Sequence, residues 1–357
     1  MKYWRGCLVA TIIAAVTWGL HRFSANHSVL VDMIYPYISR MVQDSLAQWS
    51  SAAGLCVWQV ILFALIAFAM ALLIFAVLRH WNILRVTGWI LTGASLLAFL
   101  STGIYGLNQY SGPLADDIRL ENAQYAWSIN ELEAAAVYYR DQANGLANQV
   151  DRDGSGNVEK EKFAVLAEQA ANGFETLTYE RFYSSFAGDP LPVKKLTMSV
   201  ADGKHFPLTG EAAVNPKLPM LNMPFVMCRE MSYRMCIAVE GDAEFAAFMA
   251  CEANSDVRFR YSGYFMAYRA CCNALEQIGE TGVLQKVTSG ENANLKKDMD
   301  QFDKNGKRYD TASGFCDLLV VWHVQTVVLP QQGDQDDRFD PTDETQVDLS
   351  GIVNAGG

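Results

Sequence analysis

The stretch AGLCVWQVILFALIAFAMALLIFAVL, residues 53–78, contains no charged side chain and decides the fold of this 357-residue chain. At a rise of 1.5 Å per residue, a helix over this stretch reaches about 39 Å, enough to cross a hydrocarbon core of about 30 Å with tilt. Two further apolar runs, residues 7–20 and 86–107, lie on either side of it. The sequence therefore predicts three transmembrane helices near the N-terminus.

The first of these runs could instead be a signal peptide, because it is short and follows the basic residues Lys2 and Arg5. No small-x-small cleavage pattern follows it, since residues 23–25 (FSA) match that pattern poorly. We therefore predict an uncleaved anchor. The third run has three glycines that would let neighbouring helices approach closely: Gly88, Gly93 and Gly103.

Loop charges predict the orientation of the three spans. Lys2 and Arg5 precede the first span, and residues 79–85, between the second and third, carry two arginines and no acid. Basic loops remain in the cytoplasm by the positive-inside rule. Two aspartates at 116–117 follow the third span. We expect a multi-pass membrane protein with a cytoplasmic N-terminus and a large extracytoplasmic domain.

Composition predicts three regions: a membrane anchor at 1–110, an outer domain at 111–330 and an acidic disordered tail at 331–357. The formal net charge of −11 lies mostly outside the spans, which excludes the basic face of a nucleic-acid-binding protein. The tail is rich in Asp and Glu and poor in apolar residues, as disordered segments are. The three predicted spans make the lipid bilayer the first predicted partner.

The outer domain is predicted to be mainly α-helical with a small β element. Ser128 and Glu131 form a capping box before apolar residues at helical spacing. Helices are predicted at 128–150, 163–174, 225–238, 241–253, 261–279 and 312–328. Residues 195–200 are typical of a strand entering a hairpin turn at 201–204, and the proline-rich residues 206–224 of an extended, irregular connection.

The segment that could carry chemistry is MCREMSYR at 227–234, followed by EGDAEF at 240–245. Residues 229 and 233 lie four apart and share one helical face. In zinc peptidases of the His-Glu-x-x-His type, two histidines at that spacing bind the metal and the intervening Glu is the general base. The third ligand comes from a following helix. Here the spacing matches but the two ligand types do not.

With these segments the chain resembles a bacterial membrane family designated domain of unknown function 3810, which has three N-terminal spans and an outer zincin-like domain. Six segments carry the resemblance: YPYISR at 35–40, YGLN at 105–108, FPLTGEAAVN at 206–215, residues 229–245, FRYS at 259–262 and DLL at 317–319. Members usually read His-Glu-Met-x-His and then Glu-Asp-Glu-Ala-Asn-Phe. The resemblance implies a zincin-like fold and a metallopeptidase site.

Carried over residue by residue, the two histidine positions of the family are Arg229 and Tyr233. Glu230 matches the general-base position, here vestigial, and Asp242 stands at the third ligand position. A guanidinium about 4 Å from Zn²⁺ would repel it by about 8 kcal/mol at an effective dielectric of about 20. Structural zinc sites bind with about 10–16 kcal/mol only when their ligand set is complete. We therefore predict no metal and no other cofactor.

Arg229 could take over the mechanical role of the metal through an ion pair with Asp242, with Tyr233 adding a hydrogen bond. The alternative is that Arg229 simply faces water. His205 and Glu211 could both reach the former site. The commoner roles of such residues are a surface or capping histidine and a carboxylate that satisfies backbone donors.

Two other features leave alternatives open. Residues 151–162 place oxygen ligands at alternate positions as a calcium loop does, but Lys162 stands where a bidentate glutamate belongs. A solvated turn between two helices explains them equally well. Six of the eight cysteines lie in the outer domain, where they are either disulfide-bonded or small hydrophobes in helices.

These observations favour a non-catalytic descendant of a membrane-anchored metallopeptidase, a pseudoenzyme that binds a peptide, a cell-wall component or a partner protein. Two alternatives remain. One is an active hydrolase with an unorthodox site built from Glu230, Asp242, His205 or Glu211. The other is a structural subunit of a membrane complex.

Overall fold

The chain was analysed as a computed structural model, which describes residues 4–120, 127–177, 191–198, 201–304 and 313–330. The helices of this part are α1 (Arg5–Asn26), α2 (Ser28–Ser51), α3 (Val57–Leu78), α4 (Ile83–Ile104), α5 (Leu114–Asp117), α6 (Ile129–Ala147), α7 (Phe163–Glu175), α8 (Met223–Arg234), α9 (Glu240–Glu252), α10 (Val257–Gln277), α11 (Thr281–Thr288), α12 (Ala293–Lys304) and α13 (Ser313–His323). The strands are β1 (Lys194–Lys195), β2 (Gly203–Phe206) and β3 (Glu211–Val214). The mainly α fold class is confirmed.

Three helices of 22 residues each, α1, α3 and α4, are long and apolar enough to cross a membrane. α1 and α4 cross in close contact, because an ideal Cβ at Gly6 would lie 2.6 Å from the carbonyl carbon of Gly88. The Thr92 hydroxyl donates to the Gly6 carbonyl oxygen at 2.8 Å. The predicted close approach of helices therefore occurs at Gly88. At Gly93 and Gly103 an added Cβ would have open space around it.

The ends of the spans differ from the predicted ones. The first helix extends to Arg5–Asn26, which removes the expected shortage of length. The third ends at Ile104 rather than residue 107, and a short 3-10 helix, Gly106–Tyr110, follows it. Helix α2 was not predicted. It runs directly from the end of α1 and crosses the C-terminal end of α4, where the Ser39 hydroxyl donates to the Ile104 carbonyl oxygen at 2.7 Å.

The predicted β element is real but lies elsewhere. β3 is the central strand, with β1 parallel on one side and β2 antiparallel on the other. The hairpin therefore joins β2 to β3, and β3 lies inside the segment that was expected to be irregular. The strand was not predicted because the prolines around it indicated irregular structure. They flank the four-residue strand without interrupting it. Gly210 closes the hairpin with a φ of +63°.

The core of the outer domain is formed by α6, α8, α9, α10 and α13, and its largest fully buried side chains are aromatic. The predicted capping box starts α6: Ser128 accepts from the Glu131 amide and Glu131 from the Ser128 amide. Deep in this core the Tyr139 hydroxyl donates to the Leu319 carbonyl oxygen at 2.8 Å. The sequence did not predict α11 or α12, and the acidic tail lies outside the described residues.

Candidate functional site

The site positions predicted on the 229–245 segment meet where α8 packs on α9. Arg229 on α8 forms an ion pair with Glu230 at 2.9 Å and reaches Glu244 of α9 at 3.9 Å. Only 12% of the arginine side chain is exposed, against 2% and 1% for the two acids. Arg229 therefore does not simply face water, and its cation lies between two buried carboxylates that belong to different helices.

Glu244 is the bridging carboxylate that sequence reasoning missed. It is the one acid in the otherwise apolar run from residue 243 to 250, and a lone acid in such a run is a signal for a buried charge pair. Asp242, the expected partner, lies on the first turn of α9, where it accepts the Leu114 amide at 2.9 Å. Asp242 thus connects the outer domain to the chain that follows the third span. The Arg229–Asp242 ion pair stays a prediction.

Burial and neighbouring charges shift the pKa values of Arg229 and Glu230 in opposite directions. Burial alone would lower the pKa of Arg229, but Glu230, Tyr233 and Glu244 together outweigh that effect, and the pKa is raised. Burial raises the pKa of Glu230, and Arg229 offsets that effect only in part. Tyr233 lies within electrostatic reach of both, and burial raises the pKa of its phenol. Arg229 therefore stays charged at neutral pH.

Strand β2 also confines the Glu230 side chain. An ideal Cβ at Gly203 of β2 would lie 2.5 Å from the Cγ of Glu230, and the His205 amide donates to the carboxyl group. A general base needs a carboxylate that can take a proton from a water molecule. Here the guanidinium, an amide and the backbone of β2 enclose that carboxylate.

The residues at the metal-ligand positions do not fit zinc. Two of them are an arginine and a tyrosine, and the guanidinium occupies the space between the carboxylates of α8 and α9. Throughout the described ranges, no group of three His, Cys, Asp or Glu side chains is placed to hold a metal ion. A divalent cation here would meet a fixed positive charge with at most carboxylates to oppose it.

His205 has a structural position beside the site. Its Nε2 lies 3.0 Å from Oε1 of Gln43 on α2, and its ring packs on Tyr105 with the centroids 4.6 Å apart. Burial, helped by Arg234 and Lys204, lowers the pKa of His205 to about 3. The imidazole is therefore neutral at physiological pH and engaged on α2. His205 is buried within β2, so the predicted role of a surface or capping histidine is wrong.

Glu211 holds the outer domain on the second span. Its carboxylate accepts the amides of Val57 and Trp58, the first two residues of α3, at 2.8 Å each. Lys194 and the Thr209 hydroxyl donate to it at 2.8 Å as well. Burial would raise its pKa, but Lys194 and the two amides outweigh that effect and lower it. The sequence predicted that Glu211 accepts hydrogen bonds from backbone amides. It did not predict that these amides belong to a span.

The calcium-like segment closes on itself. Asp153 accepts the amides of Ser155 and Asn157 at 2.9 Å, and Arg152 pairs with Val158 in a β-bridge. The Lys297 ammonium donates to the Ser155 carbonyl oxygen. A lysine thus supplies the positive charge at this turn, which supports the solvated-turn interpretation.

All eight cysteines are free thiols. The sulfur atoms of Cys228 on α8 and Cys251 on α9 lie 3.7 Å apart, well beyond the bond length of about 2.05 Å in a disulfide. Seven of the eight are buried, and burial raises the pKa of Cys272 to about 12. The outer-domain cysteines therefore serve as small hydrophobes, which is the second of the two predicted roles.

Comparison with known proteins adds one finding. A family model described as "Protein of unknown function (DUF3810)" matches residues 31–317, which include most of α2, the second and third spans and most of the outer domain. No curated protein and no solved structure matches the chain.

Proposed function

Because the chain belongs to the family described as "Protein of unknown function (DUF3810)", we propose its role from the site itself. It is a membrane-anchored binding protein whose extracytoplasmic domain descends from a zincin-like metallopeptidase and has lost catalysis. The domain binds a peptide, a cell-wall component or a partner protein beside α8 and α9. The bilayer supplies its anchorage.

The position of Arg229 carries this proposal. A zinc ion would have joined the helix of the His-Glu-x-x-His motif to the following helix, and the Arg229 guanidinium now makes that link between Glu230 and Glu244. A single cation between two carboxylates is a sound structural substitute for a metal. It offers neither an open coordination position nor an activated water molecule, which a zinc peptidase requires.

The same contacts argue against an unorthodox hydrolase. Glu211 is occupied by four donors at 2.8 Å, and His205 is bound to Gln43. Glu230 is paired with Arg229. Asp242 accepts the Leu114 amide. All four candidate catalytic groups are therefore engaged in structural roles, and a base or nucleophile has to be free to react.

Charge supports the proposed orientation. The loop between α3 and α4 carries Arg79 and Arg85 and no acid, and the positive-inside rule places such a loop in the cytoplasm. The opposite ends of these two helices are the ones bound by Glu211 and by α2. The domain that contains those residues then lies outside.

Metal analysis of the full-length purified protein tests the loss of catalysis. We expect less than 0.1 zinc per chain, as an order of magnitude for a site that lacks its ligands. The variant Arg229→His/Tyr233→His/Asp242→Glu should bind zinc stoichiometrically if α8 and α9 retain a zincin frame. Arg229→His alone is the matched control, because it removes the cation without completing the ligand set.

Two results would contradict the proposal. Stoichiometric zinc in the natural protein would show that the site still binds metal and would restore a peptidase as the leading function. A triple variant that is folded but takes up no zinc would show that these positions do not descend from a metal site. Circular dichroism of each variant separates that second outcome from misfolding.

A further inference from the structure

A groove of about 970 Å³ separates the two consecutive spans α3 and α4. Its walls are almost entirely apolar, with Leu65, Ala69 and Leu72 on α3 and Val86 and Gly93 on α4 among the lining residues. The groove is open along one side. Gly93 widens it, because an added Cβ there would meet no atom within 4 Å.

The groove runs along half of the membrane rather than all of it. On α4 its lining residues extend from Arg85 to Leu97, a distance of about 18 Å at 1.5 Å per residue. The hydrocarbon core is about 30 Å thick, so this depth is that of one leaflet. A transmembrane helix of a second copy would need a groove that spans both leaflets, whereas the acyl chains of one lipid occupy a single leaflet.

The end of the groove at the α3–α4 loop is polar and positively charged. Arg85, Asn82, Trp81 and Trp89 line it there. Within the part of the chain that the structure describes, the Arg85 guanidinium has no ion-pair partner, and residues 79–85 contain no acid that could provide one. Tryptophans at the headgroup level and a free arginine at the mouth of an apolar groove match a phospholipid headgroup.

We propose that this groove is a binding site for an anionic phospholipid of the leaflet that contains the α3–α4 loop. The phosphate pairs with Arg85, the indoles of Trp81 and Trp89 lie at the glycerol level, and the acyl chains occupy the space beside Gly93. This site depends neither on the chemistry of the outer domain nor on which side of the membrane that domain occupies.

Native mass spectrometry of the full-length protein in a mild detergent tests the site. Phosphatidylglycerol and phosphatidylcholine with identical acyl chains serve as probes, so that they differ only in the headgroup. We expect phosphatidylglycerol to be retained more strongly. Arg85→Gln should reduce its affinity about fivefold, the equivalent of the roughly 1 kcal/mol that one arginine contributes to anionic lipid binding. Arg22→Gln, which changes an exposed arginine on α1, should leave it unchanged.

A second pair of variants tests the acyl seat. Gly93→Phe and Ala69→Phe fill the groove from opposite walls and should reduce the binding of both lipids without lowering the melting temperature. Equal affinity for the two lipids, unaffected by Arg85→Gln, would overturn the proposal. A dimer that Gly93→Phe dissociates would also overturn it, because the groove would then hold a helix of a second copy.

Discussion

Substituting Glu211 with glutamine should loosen the outer domain from the second span. A glutamine has one acceptor oxygen where the carboxylate has two. If that oxygen keeps Val57 and Lys194, its amide nitrogen faces the Trp58 amide, which then has no acceptor. An orphaned buried donor costs about 1–3 kcal/mol, and Lys194 loses its counter-charge as well. Since Glu211 is 2% exposed, we expect a total loss of about 3–5 kcal/mol, as for other broken buried ion pairs.

Hydrogen–deuterium exchange in detergent micelles measures this effect locally. Peptides that contain residues 57–58 should exchange faster in Glu211→Gln than in the natural protein, and the melting temperature should fall. Glu168→Gln is the matched control, because Glu168 is exposed on α7. Unchanged exchange at residues 57–58 together with an unchanged melting temperature would refute the argument that Glu211 holds α3.

Two further predictions concern buried charges. Arg229→Met should lower the unfolding free energy by about 3–5 kcal/mol, because it leaves two buried carboxylates without their cation; Arg229→Lys, which keeps the charge but not the forked geometry, should lose less in a thermal-shift assay. His205 has a folded-state pKa of about 3, below its ordinary 6.5, so its neutral form contributes stability above pH 6.5 that is lost as the pH falls. At pH 5 the loss of unfolding free energy should be about 2 kcal/mol. The natural protein and His205→Gln should be titrated over the same pH range, and the variant should lack this loss. The buried acids titrate alike in both proteins, so they cancel in the comparison.

The sequence predicted best where one physical signal acts alone. An uncharged run of membrane length leaves few alternatives, so the C-terminal end of the second span, Leu78, was predicted to the residue. The capping box placed the start of α6 correctly because its two hydrogen bonds are local. Helix α2 was missed because its apolar residues do not point into a core. Many of them, including Leu30, Ile34 and Ile38, are exposed on the face opposite the outer domain.

The site was predicted in its residues but not in its contacts. Arg229 and Glu230 were expected on one helix, and they are there. The partner on the next helix was taken from the family motif, which indicated Asp242, whereas the burial of Glu244 depends on how α9 rotates against α8 and α13. Glu211 was similarly identifiable as a carboxylate with backbone donors, but its donors lie more than 150 residues away along the chain. Sequence spacing carries no information on such contacts.

The outer domain is attached to the membrane anchor at three separate points, and this arrangement bears on what the α8–α9 site can do. Glu211 binds the start of α3, the Thr197 amide donates to Gln59 of α3, and His205 binds Gln43 of α2. Asp242 binds the Leu114 amide in the chain after the third span. Asp242 lies on the same helix as Glu244, the acid that Arg229 reaches. Movement of the spans would therefore be transmitted to α9 and then to the Arg229–Glu244 ion pair. That pair keeps α8 and α9 together, so this site is a mechanical connection between the helix pair and the membrane anchor.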